Sequence, residues 1–344
     1  MTAATSSVIV RPLESTDEPA VRSLIGMALA GGPTGERTAE FFRWKHVDNP
    51  FGPSIGLCAE DDGLLVGVRL VMRWAFELEQ ARISAGRMVD TATHPDYRGR
   101  GIFRDLTLAS LEIARKDTDV IFNTPNRSSR PGYLTMGWHE VGVMPTSIRP
   151  LRLLRLMNGA RAALVRADRP AAPAASCPLP SFKEVLRAHE DDVNELLDAR
   201  RSAVGSRLST AVDLNYLRWR FARAPGLDYR AVPVMDRGRL RSLGIGRVRH
   251  RAGLRELTLS EVFSAPRDGA GARMVLRAAR RAGTDHVATH PSRASVGKRD
   301  LVRSAYVTSG RVGLTLTTLP LVPLPVDPCT PDAWALSLGD LEVF

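Results

Sequence analysis

Cysteine is scarce in this chain of 344 residues: Cys58, Cys177 and Cys329 stand far apart, in no metal-ligand spacing and beside no catalytic partner. A disulfide framework and a structural zinc site are thereby excluded as organising devices, no metal is expected, and a reducing cytoplasm suits the usage. No apolar run approaches the ~18 residues that would span a membrane. The opening Met1-Thr-Ala-Ala-Thr-Ser-Ser7 has neither a charged n-region nor an apolar h-region, so no secretory leader is expected. Aromatic residues make up only 6% of the chain and are not interleaved with its arginines. The formal net charge of +11 therefore reads as an arginine-rich composition, suited in part to a ligand carrying several phosphate charges. Nucleic acid is not expected as a partner, although a basic RNA-binding protein stays open as an alternative.

What is present is ample core material. Hydrophobic residues make up 44% of the chain, enough for two domains of ordinary size. Residues 158 to 180 are rich in Ala, Pro and Arg and read as a linker. The segments on either side are related. Phe41-Phe-Arg-Trp44-Lys45 precedes Asn49-Pro50, and Tyr216-Leu-Arg-Trp219-Arg220 precedes Ala224-Pro225, an offset of 175. Thr118-Asp-Val-Ile-Phe-Asn-Thr-Pro125-Asn-Arg127 is echoed by Thr284-Asp-His-Val-Ala-Thr-His-Pro291-Ser-Arg293, an offset of 166. Two echoes in the same order point to a duplicated domain. The expected division is 1–157, a linker over 158–180, and 181–344.

The stretch from Thr91 to Trp138 carries the chemistry. A strand over 81–93 runs into the turn Arg98-Gly99-Arg100-Gly101, which opens directly into a helix with Ile102, Leu106, Ala109 and Ile113 at helical spacing. Glycines let a backbone approach a phosphate closely, the free N–H groups of a helix start point outward, and two arginines add positive charge. The turn is suited to a pyrophosphate. A dinucleotide fingerprint would need a third glycine where Arg104 stands, and a Walker loop would need Gly-Lys-Ser/Thr. A strand over 119–123 follows, then Tyr133-Leu-Thr-Met-Gly137-Trp138.

These elements resemble the GNAT superfamily of N-acyltransferases, whose coenzyme A loop reads Arg/Gln-x-x-Gly-x-Gly/Ala. Arg98 and Gly101 match; Phe103 departs, standing where the family usually has a small residue. Tyr133-x-x-x-Gly137-Trp138 is similar to the family's Tyr-x-x-x-Gly-Phe element. The resemblance covers roughly residues 7 to 148. It implies an α/β (α+β) fold of two tandem GNAT-like domains, each a mixed, mostly antiparallel sheet flanked by helices, with the C-terminal one degenerate. That half has Pro266-Arg-Asp268-Gly-Ala-Gly-Ala272 where the loop should be, and Lys298 to Val302 contains no tyrosine. Asp268 near a helix start would repel a pyrophosphate.

The resemblance also assigns roles. Arg98, Gly99, Arg100, Gly101, Ile102 and Phe103 would hold the pyrophosphate of acetyl-CoA or another acyl-CoA. Thr91, Ala92 and Thr93 would offer backbone groups to the pantetheine arm. Asn123 and Asn126 would hold the coenzyme; an Asx turn beside Pro125 is the competing reading of these asparagines. Tyr133 would be the general acid for the leaving thiolate, against a reading as a core aromatic packed on Trp138. Asp90 is the candidate base or water-holding carboxylate, against a reading in which it pairs with Arg87 or Arg98. His94 reads as a turn residue. Trp44, Lys45, Asn49 and Pro50 could line an acceptor pocket, but the repeat at Trp219 favours packing. The terminal carboxylate of Phe344 could reach the active site, as happens in some multidomain relatives. The expected activity is direct acyl transfer to a primary amine of a small molecule by a cytoplasmic enzyme, since no cysteine lies near the loop for a covalent route. A non-catalytic acyl-CoA sensor, suggested by Phe103, is the alternative; the oligomeric state is not legible.

Overall fold

A computed structural model describes residues 8–28, 38–79, 81–156, 176–203, 205–251, 253–266 and 268–342. The proposed linker falls largely outside these residues. The first half runs β1 (Ile9–Pro12), α1 (Glu18–Ala28), α2 (Ala39–His46), β2 (Ile55–Asp61), β3 (Leu64–Leu78), β4 (Ala81–Thr93), α3 (Ile102–Ala114), β5 (Val120–Asn123), α4 (Arg130–Thr135) and β6 (His139–Pro150). The second runs α5 (Phe182–Ala188), α6 (Glu190–Ala203), β7 (Ser209–Thr210), α7 (Leu214–Leu217), β8 (Tyr229–Asp236), β9 (Arg239–Arg251), β10 (Leu254–Ser264), α8 (Gly269–Ala278), β11 (His286–Thr289), α9 (Lys298–Arg303), β12 (Val307–Pro320) and α10 (Leu338–Leu341).

One sheet of twelve strands joins both halves, in the order β1-β2-β3-β4-β5-β12-β6-β11-β10-β9-β8, with β7 beside β3. Most pairs are antiparallel; β4–β5 and β10–β11 are parallel. The expected mixed, mostly antiparallel sheet flanked by helices is what forms. Its centre holds an exchange that no local sequence pattern announces. The last strand of the first half, β6, pairs with β11 of the second, and β12 crosses back to pair with β5. A cut at residue 157 would therefore divide the chain but not the sheet.

Local patterns explain the elements that frame the cleft. In α1, Val21, Leu24 and Ile25 are buried at helical spacing. Strands β3 and β4 are buried on both faces, because helices and loops cover each side, and so they read as apolar runs rather than alternation. The β2–β3 hairpin turns through Asp62 and Gly63, both with positive φ as such a tight turn requires. Helix α3 lies close on β3 because residue 67 is glycine: a Cβ there would stand 2.6 Å from the Ile102 side chain. Helix α8 begins at Gly269, where the Asp268 carboxylate caps it by accepting from Gly271 N–H at 2.9 Å.

The two echoed motifs meet. Trp44 and Trp219 stack with ring centroids 5.1 Å apart. Each indole N–H donates to the other's backbone carbonyl, at 2.7 and 2.8 Å. This reciprocal pairing is the signature of a local two-fold relation, and it settles Trp44 as a packing residue.

Candidate active site

Strand β5 pairs with β4 only at Ala85, Gly86 and Arg87. Beyond Arg87 the strands part, while β12 stays paired with the other edge of β5 from Val120 through Asn123. The gap is a cleft of about 600 Å³. Met88 to Thr93 form one wall, Asn123 to Asn126 the other; Arg98, Phe103, Gly132 and Tyr133 close one side. Among the sequence-selected residues, Asp90, Thr91, Ala92, Thr93, Arg98, Phe103, Asn123, Asn126 and Tyr133 all line this one cleft. Gly99, Arg100, Gly101 and Ile102 sit just beyond, in the turn and first residue of α3.

The turn has the geometry that its glycines permit. Gly99 and Gly101 adopt φ of +77° and +82°, a region costly for residues with a Cβ. Gly101 is the N-cap of α3 and supplies no side-chain acceptor; Arg104 N–H turns back to the Gly101 carbonyl at 2.8 Å, and the N–H groups of Ile102 and Phe103 are left for a ligand or solvent. Arg98 and Arg100 are exposed; Arg100 stacks over Tyr97 at 4.5 Å. Ile102 is buried against β2 and β3. Phe103 does not fill the cleft: it packs on Gly132, where a Cβ would lie 3.0 Å from its ring, and meets the Tyr133 ring edge-on at 5.4 Å. A glycine on α4 makes room for the bulk on α3.

A test of fit for an acyl-CoA lies in the walls. The Thr91 hydroxyl is buried with no hydrogen-bond partner, an orphan that a ligand could satisfy. The free edge of β4 beyond Arg87 offers backbone groups in strand fashion. Residues, turn and open edge fit a phosphate-bearing, extended ligand. Among the described residues no cluster of His, Cys, Asp or Glu could hold a metal ion.

The polar residues sort as follows. Asp90 is buried in a bulge of β4 with φ +40°, a strained value for a non-glycine residue. Its carboxylate pairs with neither Arg87 nor Arg98. It meets Lys45 Nζ at 2.6 Å and His46 Nε2 at 2.9 Å, both from the end of α2, and His46 Nδ1 contacts Ser54 Oγ at 3.0 Å. Arg87 instead donates to the carbonyls of Asp340 and Leu341; burial, then the nearby Arg220, pulls its pKa down to about 10. The Asn126 side-chain oxygen accepts from Ser128 N and Ser129 N, which is the Asx-turn reading. Asn123 is buried at the end of β5. His94 caps the following turn, accepting weakly from Asp96 N. Asn49 is structural, with Nδ2 donating to the Arg73 carbonyl at 2.8 Å. Phe344 lies outside the described residues.

Tyr133 combines both readings of it. Its ring is buried against Trp138 at 5.2 Å, and its hydroxyl accepts from Arg69 Nη1 at 2.7 Å. Arg69 escaped the sequence reading. The one signal was a lone charge within the apolar run Leu64-Leu-Val-Gly-Val-Arg69-Leu-Val-Met72. Lys45 and His46 were likewise missed as partners of Asp90, because nothing local ties the end of α2 to a bulge in β4.

Comparison with known proteins places this geometry. Residues 9–141 match the acetyltransferase (GNAT) domain family. No curated protein sequence matches the chain at a significant level. Among solved structures, a probable N-acyltransferase from Enterococcus faecalis superposes with a TM-score of 0.62 at 13% identity, covering 92% of this chain and 73% of that one. A GCN5-related N-acetyltransferase from Anabaena variabilis gives 0.61 at 12% identity, covering 91% and 73%. The N-myristoyltransferase of Saccharomyces cerevisiae, solved with bound myristoyl-CoA, gives 0.59 at 13%, covering 99% and 86%. At these identities the likeness is one of fold.

Proposed function

From a chain that belongs to the GNAT superfamily of acyltransferases through residues 9–141, we propose that the β4–β5 cleft transfers an acetyl or other short acyl group from acyl-CoA to a primary amine of a small molecule, directly within a ternary complex. The observation that carries this reading is the convergence on one cleft of Arg98, with the glycine turn just beyond it, the open edge of β4 and Tyr133. The family uses acyl-CoA; the acetyl group, the small-molecule acceptor and a cytoplasmic setting are parts of the proposal. No helix among the described residues is long and apolar enough to cross a membrane.

The residues divide the work as follows. The α3 N-terminus and Arg98 bind the pyrophosphate, and Thr91 to Thr93 align the pantetheine arm. The acceptor nitrogen bonds to the acyl carbon and the carbon–sulfur bond breaks. Tyr133 gives its proton to the departing thiolate. Asp90, braced by Lys45 and His46, supports the proton that leaves the acceptor ammonium. We also assign residues 181–344 to a second GNAT-like unit without a coenzyme site, joined to the first through the exchanged strands. Phe103 no longer motivates a purely sensory role, since the missing side chain of Gly132 gives its ring room in the wall of the cleft.

Thiol release against a panel of amines and acyl-CoAs tests the reading. Tyr133→Phe keeps the ring and should lower kcat by roughly 10²-fold, the usual scale for a positioned acid, with little change in CoA affinity. No thiol release with any amine, alongside intact CoA binding, would favour the sensor. A Tyr133→Phe variant with undiminished kcat would return Tyr133 to the core.

A further inference from the structure

Arg69 lies on β3 and is completely buried. Among the described residues no carboxylate forms an ion pair with it, and its Nε has no hydrogen-bond partner. A buried guanidinium without an anion is costly, so its retention calls for an explanation. What surrounds it is the wall of the cleft. The guanidinium lies over the Phe103 ring at 4.9 Å and the Tyr133 ring at 5.4 Å. Nη1 reaches the Tyr133 hydroxyl at 2.7 Å, and Nη2 reaches Thr107 Oγ1 at 2.5 Å.

These bonds have a direction that chemistry fixes. Arginine carries only donors. Thr107 accepts from Arg69 and sends its own proton to the Phe103 carbonyl at 2.6 Å, so it has none to donate to Tyr133, and no bond runs from Tyr133 to it. Tyr133 Oη must therefore be the acceptor of its contact with Arg69, and its own O–H proton has to point elsewhere. The adjacent Trp138 indole can only donate. No acceptor for the Tyr133 proton exists among the described residues. What remains open to that proton is the cleft that Tyr133 lines.

We propose that Arg69 is a positioning residue: it holds the phenol oxygen from behind, so that the only proton on Tyr133 is aimed at the site where the thiolate forms. When that proton leaves with the thiolate, the guanidinium already faces the oxygen that acquires the charge, and solvent later restores the proton. The counterpart on the second half supports the pairing of roles. Val68 pairs with Ala92 just past the bulge of β4, and Ile245 pairs with Glu261 just past the bulge of β10. The residue after Val68 is Arg69; the residue after Ile245 is Gly246. The half that lacks the tyrosine also lacks the arginine. This inference rests on Tyr133 as the proton donor.

Arg69→Gln separates it from a purely structural role, because Gln brings an acceptor oxygen that can capture the Tyr133 proton. The expected result is a kcat lower by ten- to a hundredfold, with KM for acyl-CoA and calorimetric CoA affinity changed less than threefold, about the scale of losing an aimed donor alone. Arg69→Lys, donors only, should recover at least a tenfold share of the loss. The double variant with Tyr133→Phe should be no slower than Tyr133→Phe by itself. A readout free of turnover uses 13C-labelled tyrosine: the chain has five tyrosines, so the Tyr133 Cζ signal is assignable by its loss in Tyr133→Phe. That signal should move in Arg69→Gln and return toward its place in Arg69→Lys. A slow Tyr133→Phe beside a fully active Arg69→Gln would overturn the role of Arg69 and leave the acid assignment standing. An unimpaired Tyr133→Phe would overturn the acid assignment itself. If Arg69→Gln does not fold, Arg69→Lys with an unmoved Tyr133 signal and kcat below a hundredth of the parent would equally overturn the inference.

Discussion

The two halves share a framework and use its central gap in opposite ways. In the first, β4 and β5 part after Arg87 and leave a cleft of about 600 Å³. In the second, β10 and β11 part after Leu259 and Thr289, and the chain's own later residues occupy the space. Leu338 N donates to the His290 carbonyl at 2.6 Å, Ser292 Oγ donates to the Ala335 carbonyl at 2.7 Å, and Ser260 Oγ reaches Glu342 at 3.3 Å. The helix starts differ in the same sense. Gly101 leaves the N-terminus of α3 without a side-chain cap, whereas Asp268 caps α8 and is held by two bonds from Arg241. A carboxylate sits where the other half presents bare N–H groups. One pattern of strands thus supports a receptive gap or a sealed one, and the choice lies in a few residues at its rim.

The join between the halves is the place where breaking the comparison should have the largest effect. Removing a buried tryptophan typically costs about 3–5 kcal/mol. Trp219→Ala should fall in that range, because it empties the stack and removes the indole donor to the Trp44 carbonyl. Trp44→Ala should cost a similar amount, and the double variant less than the sum, since both remove one shared contact. Denaturant unfolding reads all three. Additive losses would mean that the two indoles are independent core residues rather than a single joint.

The next contrast is at the helix starts. Gly101→Val places a β-branched side chain at φ +82° and should weaken CoA binding more than tenfold, about 1.4 kcal/mol or more. Asp268→Ala in the other half should leave CoA affinity unchanged while losing ~0.5–2 kcal/mol of stability through the lost cap. Calorimetry of the parent chain should give one CoA per chain. A second site of comparable affinity, or unchanged binding by a folded Gly101→Val, would undo the division between receptive and sealed gaps.

These contrasts also mark how far the sequence could be read. The turn, the strand before it and the helix after it were legible because their signals are local: glycines at positive φ, arginines beside them, and a helical repeat of apolar residues. The Trp44 and Trp219 echo was legible because its order and spacing stand in the sequence itself. The exchange of β6 and β12 was not, since the alternative pairings bury the same side-chain faces and only the tertiary structure chooses between them. Arg69 and the Lys45–Asp90–His46 cluster were missed for a related reason. Each joins elements distant in sequence, and a lone charge in an apolar run carries no address for its partner.

The smallest expected effect, and the one most particular to the sealed gap, is its dependence on pH. Glu261 stands just past the bulge of β10, at the register position that Ala92 holds in β4. Burial pushes its pKa up to about 8, the neighbouring Asp340 adds to the rise, and Arg200, the Ser337 hydrogen bond and Arg220 oppose it. The folded chain therefore keeps this proton over a range in which the unfolded chain, titrating near its ordinary 4.5, has released it. By linkage, stability falls as pH rises wherever the native state binds more protons. The contribution of Glu261 is thus full below about 4.5 and is lost as pH climbs through about 8. Glu261→Gln keeps the shape and the partner of Ser337 but has nothing to titrate. It should be close to the parent in stability at pH 5 and more stable by roughly 1 kcal/mol at pH 8, since Arg200 and Arg220 face the charge and offset part of the cost of ionising it. Thermal melts of both proteins at the two pH values give the difference directly. A variant equally displaced from the parent at pH 5 and pH 8 would show that Glu261 is ionised throughout. The second gap would then be closed by a charged network built around its arginines rather than by a carboxylic acid held neutral.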